Sequence, residues 1–113
     1  MTIEVHDING TAVVALTGDV DLQSSPGVRQ KLLECLEKSK RLVADLGAVS
    51  YIDSSGLATL IEYVQKAFKF RGQFALGGVS VRLRTVFDLA RLGEVFPIHD
   101  SVEAAKAALA KGA

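Results

Sequence analysis

The sequence predicts a single α/β domain over residues 1–113, built on a mixed, mostly parallel sheet of four to five strands with about four helices, in the order ββαβαβαβα. Three observations predict it. Apolar strand-like runs alternate with segments of helical periodicity, and that alternation implies right-handed βαβ crossovers. An Asn9-Gly10 pair, suited to positive φ at both centres of a tight turn, joins the first two runs as a hairpin and makes the sheet mixed. Hydrophobic residues at 49% and charged residues at 23% supply a core without the charge excess of a disordered chain.

Ile3, Val5 and Ile8, spaced by polar residues, read as a half-buried strand, and Thr11–Leu16 as a β-branched one ending near Gly18. Ser25 followed by Pro26 reads as a helix cap with proline at the first helical position. Val28, Leu32, Cys35 and Leu36 then share one face, and Lys38-Ser39-Lys40-Arg41 closes the helix. Leu42–Leu46, apolar except for Asp45, suits a central strand covered on both faces. The second helix is expected from about Ser55 to Phe70, with Leu57, Leu60, Ile61, Val64 and Phe68 buried, Glu62 four residues from Lys66, and Arg71-Gly72 at its end. Phe74-Ala75-Leu76 is a fourth strand. Ser80 caps a third helix with Leu83, Val86, Phe87 and Ala90 inward. Val95-Phe96-Pro97-Ile98 is a short fifth strand that its proline confines to an edge or an end. Asp100-Ser101-Val102-Glu103 has capping-box spacing and opens an alanine-rich last helix.

Composition narrows the function. Thirteen basic residues balance thirteen acidic ones with no basic run, which argues against direct nucleic-acid binding. Met1-Thr2-Ile3-Glu4-Val5 lacks a signal-peptide pattern, and no stretch approaches the ~20 apolar residues of a membrane span. A cytoplasmic protein without membrane insertion is expected. There is no phosphate-binding P-loop, no dinucleotide fingerprint and no nucleophile elbow. One cysteine, Cys35, and two distant histidines, His6 and His99, offer no metal-ligand spacing, so no metal or cofactor is expected. Cys35 reads as a small core residue, His6 as a solvent-facing strand residue and His99 as a surface or capping residue. With no histidine placed to activate Ser54, the chain does not read as an enzyme.

Two loops remain, residues 18–25 and 50–56. Both follow strands, and in open α/β sheets function gathers beyond the carboxyl ends of the strands. That places Asp19, Asp21, Asp53 and Ser54 on one rim. Asp53-Ser54-Ser55-Gly56 lies where a strand gives way to a helix. The quartet reads as a helix cap, and Asp19 and Asp21 as turn residues. The same quartet also suits an anion-tolerant site where a serine can carry phosphate at the positive end of a helix, though residue types alone favour the cap.

Three patches carry a family resemblance: Gly18-Asp19-Val20-Asp21, Val49-Ser50-Tyr51-Ile52-Asp53-Ser54-Ser55-Gly56-Leu57, and Arg84-Thr85-Val86-Phe87-Asp88-Leu89. Nearly the whole chain resembles the STAS family, the domain shared by sulphate transporters and bacterial anti-sigma factor antagonists. The resemblance implies a phosphorylation-controlled partner switch. Ser54, directly after Asp53, would accept phosphate from an anti-sigma factor serine kinase. Ser55 is the secondary candidate, and a serine phosphatase would reset the switch. The dephosphorylated protein would bind the kinase and free a sigma factor, through Asp19, Asp21, Asp53, Ser54, Ser55 and Gly56. A monomer forming hetero-complexes is expected. Two departures stand out: Ser80-Val81 where many members have Ser-Pro, and Arg91 before Leu92 where many have glycine. The alternatives are an accessory subunit of a lipid-trafficking ABC transport system and, with less support, a small-ligand or nucleotide sensor.

Overall fold

A computed structural model describes residues 1–8, 10–69, 72–95 and 97–111, without the side chains of Phe68, Ala110 and Lys111. Asn9 of the expected hairpin turn, Phe70 and Arg71 at the expected end of the second helix, and Phe96 of the expected fifth strand lie outside the described residues, as does the expected burial of Phe68. The elements are β1 (Thr2–Ile8), β2 (Thr11–Val20), α1 (Ser25–Lys38), β3 (Arg41–Ile52), α2 (Ser54–Lys69), β4 (Gln73–Gly77), α3 (Val81–Leu89) and α4 (Val102–Lys111).

The sheet order is β1-β2-β3-β4, with β1 antiparallel to β2 and the other pairs parallel. Because the order advances in one direction, right-handed crossovers carry successive helices onto the same face. Val28, Leu32 and Cys35 of α1, Leu60, Tyr63 and Val64 of α2, and Leu83 and Phe87 of α3 accordingly join Val14, Leu16, Leu42, Ala44 and Leu76 in one core. On the other face Ala105 and Leu109 of α4 pack on Val13, Val43 and Ala75. The central strand is covered on both faces as expected, with Leu42, Val43 and Ala44 fully buried. Cys35 is buried, and burial pushes its thiol up from its ordinary range, which suits a packing role.

Several boundaries differ from the sequence expectation. β3 runs six residues past Leu46 and β2 two past Gly18. The register slips between Ala15 and Thr17 and again between Gly18 and Asp19, so β3 holds extra residues as bulges. Its buried positions become Leu46, Val49 and Ile52, a spacing of three rather than two. The fifth β position is a single parallel bridge between Leu76 and Ile98, because Pro97 has no amide to extend a ladder. His99 directly follows that bridge, half-buried, with its amide bonded to the Leu76 carbonyl at 2.9 Å; it is neither a fully exposed surface residue nor the cap of α4. Ala90 is exposed because α3 stops at Leu89. Arg91 turns into the left-handed region (φ 56°), where an L-residue costs roughly 1 kcal/mol that the glycine expected from the resemblance would avoid.

Caps divide similarly. Ser80 Oγ accepts from the Leu83 amide at 3.2 Å, as expected. At α4 the cap is Ser101, accepting from the Ala104 amide at 3.1 Å, while Asp100 pairs with Arg84 at 3.0 Å. At α1 the cap position is Ser24, one residue before the expected Ser25.

Glu62 and Lys66 sit 3.8 Å apart, and Glu62 also takes a hydrogen bond from Arg29 of α1 at 2.8 Å. The Arg29 hydrogen bond, aided by the nearby positive charges, holds the Glu62 carboxyl below its ordinary 4.5. A carboxyl depressed in the fold stabilises it above that ordinary value and loses the contribution as pH falls through the lower folded value. Both partners are about half exposed, so the effect is small. Glu62→Gln should lower the urea midpoint slightly at neutral pH, with the gap to wild type closing below about pH 4.5; a gap constant with pH would refute the pairing. Phe87→Ala, at a fully buried position, should cost about 3–5 kcal/mol in urea unfolding.

Candidate functional site

The register of β2 and β3 builds the site. Val20 pairs with Ile52, the last residue of each strand, so Asp21 and Asp53 leave the sheet side by side. The Asp53 amide then donates to the Val20 carbonyl at 3.1 Å, tying the start of α2 to the end of β2. The loops between elements are thereby narrowed to residues 21–24 and Asp53, because Gly18–Val20 and Ser50–Ile52 are strand.

Asp53 is the cap of α2. Its Oδ1 accepts from the Gly56 amide at 3.0 Å, and its carbonyl accepts from the Leu57 amide at 2.9 Å. Gly56 is buried, and glycine is required there by space. A Cβ would meet the Val20 carbonyl oxygen at 2.6 Å and the Ile52 Cγ1 at 2.7 Å. Ser55 is half-buried, and its carbonyl accepts from the Thr59 hydroxyl at 3.0 Å. Ser54 is exposed at the first position of α2, and among the described residues its hydroxyl makes no hydrogen bond.

Asp21 organises the other loop. Its Oδ1 accepts from the amides of Gln23 (3.1 Å) and Ser24 (3.0 Å), as an Asx turn does. Its own amide donates to Ser24 Oγ at 3.0 Å, and that hydroxyl donates to the Asp19 carbonyl at 2.8 Å. The Ser25 hydroxyl donates to the Asp21 carbonyl at 2.5 Å. Ser24 thus faces back into the loop, which explains why it leaves the α1 amides uncapped. Asp19 is exposed and pairs across the strands with Tyr51.

Asp19 and Asp21, with Met1, Gln23 and Ser24, line an open depression of about 440 Å³. Asp53 and Ser54 stand outside that lining, at the neighbouring strand end. The rim also carries exposed apolar side chains that sequence reasoning missed: Leu22, at 75% exposure, between Asp21 and Gln23, and Tyr51, at 54%, two residues before Asp53. Periodicity gave no signal for them, because one lies in a turn and the other beside a bulge. Val81 opens α3 beyond the end of β4, on the same side of the sheet ends, and is 87% exposed. Among the described residues no three His, Cys, Asp or Glu side chains converge as a metal site requires, and no helix is long and apolar enough to cross a membrane.

A profile of the STAS domain matches residues 2–105. The chain belongs to the STAS domain family. Among its relatives, the anti-sigma-B factor antagonist of Bacillus subtilis is 30% identical over 103 residues, covering 91% of this chain and 94% of the relative. The anti-sigma-F factor antagonist RsfB of Mycobacterium tuberculosis is 31% identical over 107 residues, covering 90% and 87%. The crystal structure of an anti-sigma factor antagonist from Mycobacterium paratuberculosis superposes with a TM-score of 0.82 at 28% identity, covering 95% of this STAS domain and 92% of that chain.

The site geometry assigns Asp53 a capping role that can be measured. Asp53→Ala should cost about 1 kcal/mol in urea unfolding, whereas Asp53→Asn, which keeps the accepting oxygen, should cost no more than a few tenths. Equal losses for the two variants would remove the cap from the explanation.

Proposed function

We propose that this STAS domain is an anti-sigma factor antagonist governed by phosphorylation of Ser54. Unphosphorylated, it docks through the rim of Asp19, Asp21, Asp53, Ser54 and Ser55 on an anti-sigma factor that is itself a serine kinase, and so frees a sigma factor; Gly56, expected at the contact, is buried against Val20 and Ile52 and shapes the rim from beneath instead. Phosphorylated, it is released until a serine phosphatase restores the hydroxyl. The observation that carries the reading is the exposed Ser54 hydroxyl at the first position of a helix whose cap is a different residue, Asp53.

The chemistry follows from charge. Phosphate on Ser54 adds roughly −1.5 to −2 charges at neutral pH. The amino end of α2 tolerates an anion there, because its first N–H groups and the helix dipole point toward it. A docked partner meets the same charge next to the carboxylates of Asp19 and Asp21 and must desolvate it. Leu22 and Tyr51 supply the apolar contact that a docked partner buries. Asp53 and Gly56 keep their contacts in either state, so the switch works by surface charge with little backbone movement.

Incubation with ATP and an anti-sigma serine kinase, followed by mass spectrometry, should place phosphate on Ser54 and none on the Ser54→Ala variant. Ser54→Asp should weaken kinase binding by about tenfold or more. Failure of every such kinase to modify or bind the chain, together with copurification with a membrane permease, would move the function to a transporter subunit.

A further inference from the structure

β3 outruns its neighbour on one side. Its parallel ladder with β4 ends at Asp45↔Gly77, while its ladder with β2 continues to Val20↔Ile52. Residues 46–52 therefore have a strand partner on the β2 side alone among the described residues. At about 3.3 Å per residue this extension reaches roughly 20 Å beyond Asp45, so a small turn at its root becomes a large shift at its tip. The tip carries Asp53 and Ser54. The root is a bulge. Asp45 pairs with Ala15, the next pair is Thr17↔Ala48, and Leu46 and Gly47 together oppose Leu16. A bulge leaves its extra residue without a ladder partner, and here the Gly47 amide donates to Asp45 Oδ1 at 2.9 Å. Gly78, directly after β4, closes on the same group. A Cβ on Gly78 would lie 2.8 Å from Asp45 Oδ1 and 3.0 Å from the Gly47 nitrogen, and its φ of 69° is in the left-handed region that glycine adopts freely.

We propose that Asp45 is a positioning residue for Ser54. Its carboxylate holds the Gly47 amide, Gly78 packs against both from the β4 side, and this brace fixes the direction in which the end of β3 leaves the sheet. The Val20↔Ile52 pair, the bond from the Asp53 amide to the Val20 carbonyl and the start of α2 follow from that direction. Without the Asp45 oxygen the Gly47 amide turns to water, and the extension pivots on its β2 ladder. Asp45 acts through β3 and not by contact with Ser54. The brace also gives the Gly77-Gly78 pair a use: Gly78 has no room for a side chain where β4 ends against the bulge. The role deepens the Ser54 reading. Its consequence for phosphorylation rests on that reading, whereas the alignment of the α2 amino end does not.

Amide hydrogen exchange of the full chain tests the brace without a kinase. Asp45→Ala removes the acceptor, and Gly78→Ala drives a methyl group into it. Both should speed exchange of the Asp53 and Gly56 amides by about tenfold or more, through local opening of the α2 amino end. Asp45→Asn keeps an accepting oxygen and should exchange like the wild type. Leu109→Ala weakens the fold from the α4 face and should leave those two amides unchanged, because it does not favour that local opening. With the anti-sigma kinase, Asp45→Ala should lower kcat/KM for Ser54 by about tenfold or more, since a misplaced reacting group is costly, and Asp45→Asn should stay near the wild type. Rim amides indifferent to Asp45→Ala and Gly78→Ala overturn the proposal. So does an Asp45→Asn variant as impaired as Asp45→Ala, an equal response to Leu109→Ala, or loosened amides with phosphorylation at the wild-type rate. The expected exchange pattern in a chain that no anti-sigma kinase phosphorylates supports the brace and overturns the Ser54 reading.

Discussion

The hydrogen bond from the Asp53 amide to the Val20 carbonyl is the constraint on which the site depends. Parallel strands end together only if the register between them is held, and here the last pair, Val20 and Ile52, is followed at once by this bond. It fixes where α2 starts relative to β2. Gly56 makes the approach close enough, since any side chain there would collide with Val20 and Ile52. Without that contact α2 would stand off the sheet, and its amino end would lose its alignment with the Asp21 loop. Packing in the core therefore sets the geometry of a surface feature.

The two bulges in β3 extend the same argument. An unbroken strand of twelve residues would bury alternate side chains, and Val49 would then fall on the face of Val43 rather than on that of Leu46. The first extra residue turns Val49 to the face of Leu46 and the second restores the phase, so Leu46, Val49 and Ile52 point into the core while Ser50 and Tyr51 are exposed. Bulges also increase local twist. The rim carries an exposed aromatic ring, Tyr51, two residues before Asp53.

Much of this architecture was legible in the sequence because it rests on patterns that survive tertiary context. Leu42-Val43-Ala44 reads as a doubly covered strand because nothing polar interrupts it, and Ser80 reads as a cap because its neighbours leave it no other partner. What failed to read was decided by competition between equivalent residues. Ser24 and Ser25 both suit a cap position, but Ser24 is drawn away by Asp19 and Asp21. Asp100 and Ser101 both suit the start of α4, and Arg84 takes Asp100. The length of β3 was hidden because its bulges abolish the two-residue period by which a strand is recognised. At the site, the carboxylates were found by type and position. Their unequal roles emerged only from the hydrogen bonds, with the Asp21 and Asp53 oxygens engaged by backbone amides while Asp19 is exposed.

That inequality has a consequence for how a chemical mark can act here. A hydroxyl that capped α2 could not be modified without disturbing the helix, and the cost would fall on stability. Asp53 does the capping and Gly56 the close packing, which leaves Ser54 with no structural duty at the position nearest the helix dipole. Its environment favours an anion electrostatically, and among the described residues no hydrogen bond of its side chain has to break to admit one. The division of labour along four consecutive residues leaves the fold to Asp53 and Gly56 and, in the proposed function, leaves docking to Ser54. On the proposed reading, a change of charge at Ser54 alters docking while the fold, held by Asp53 and Gly56, stays as it is.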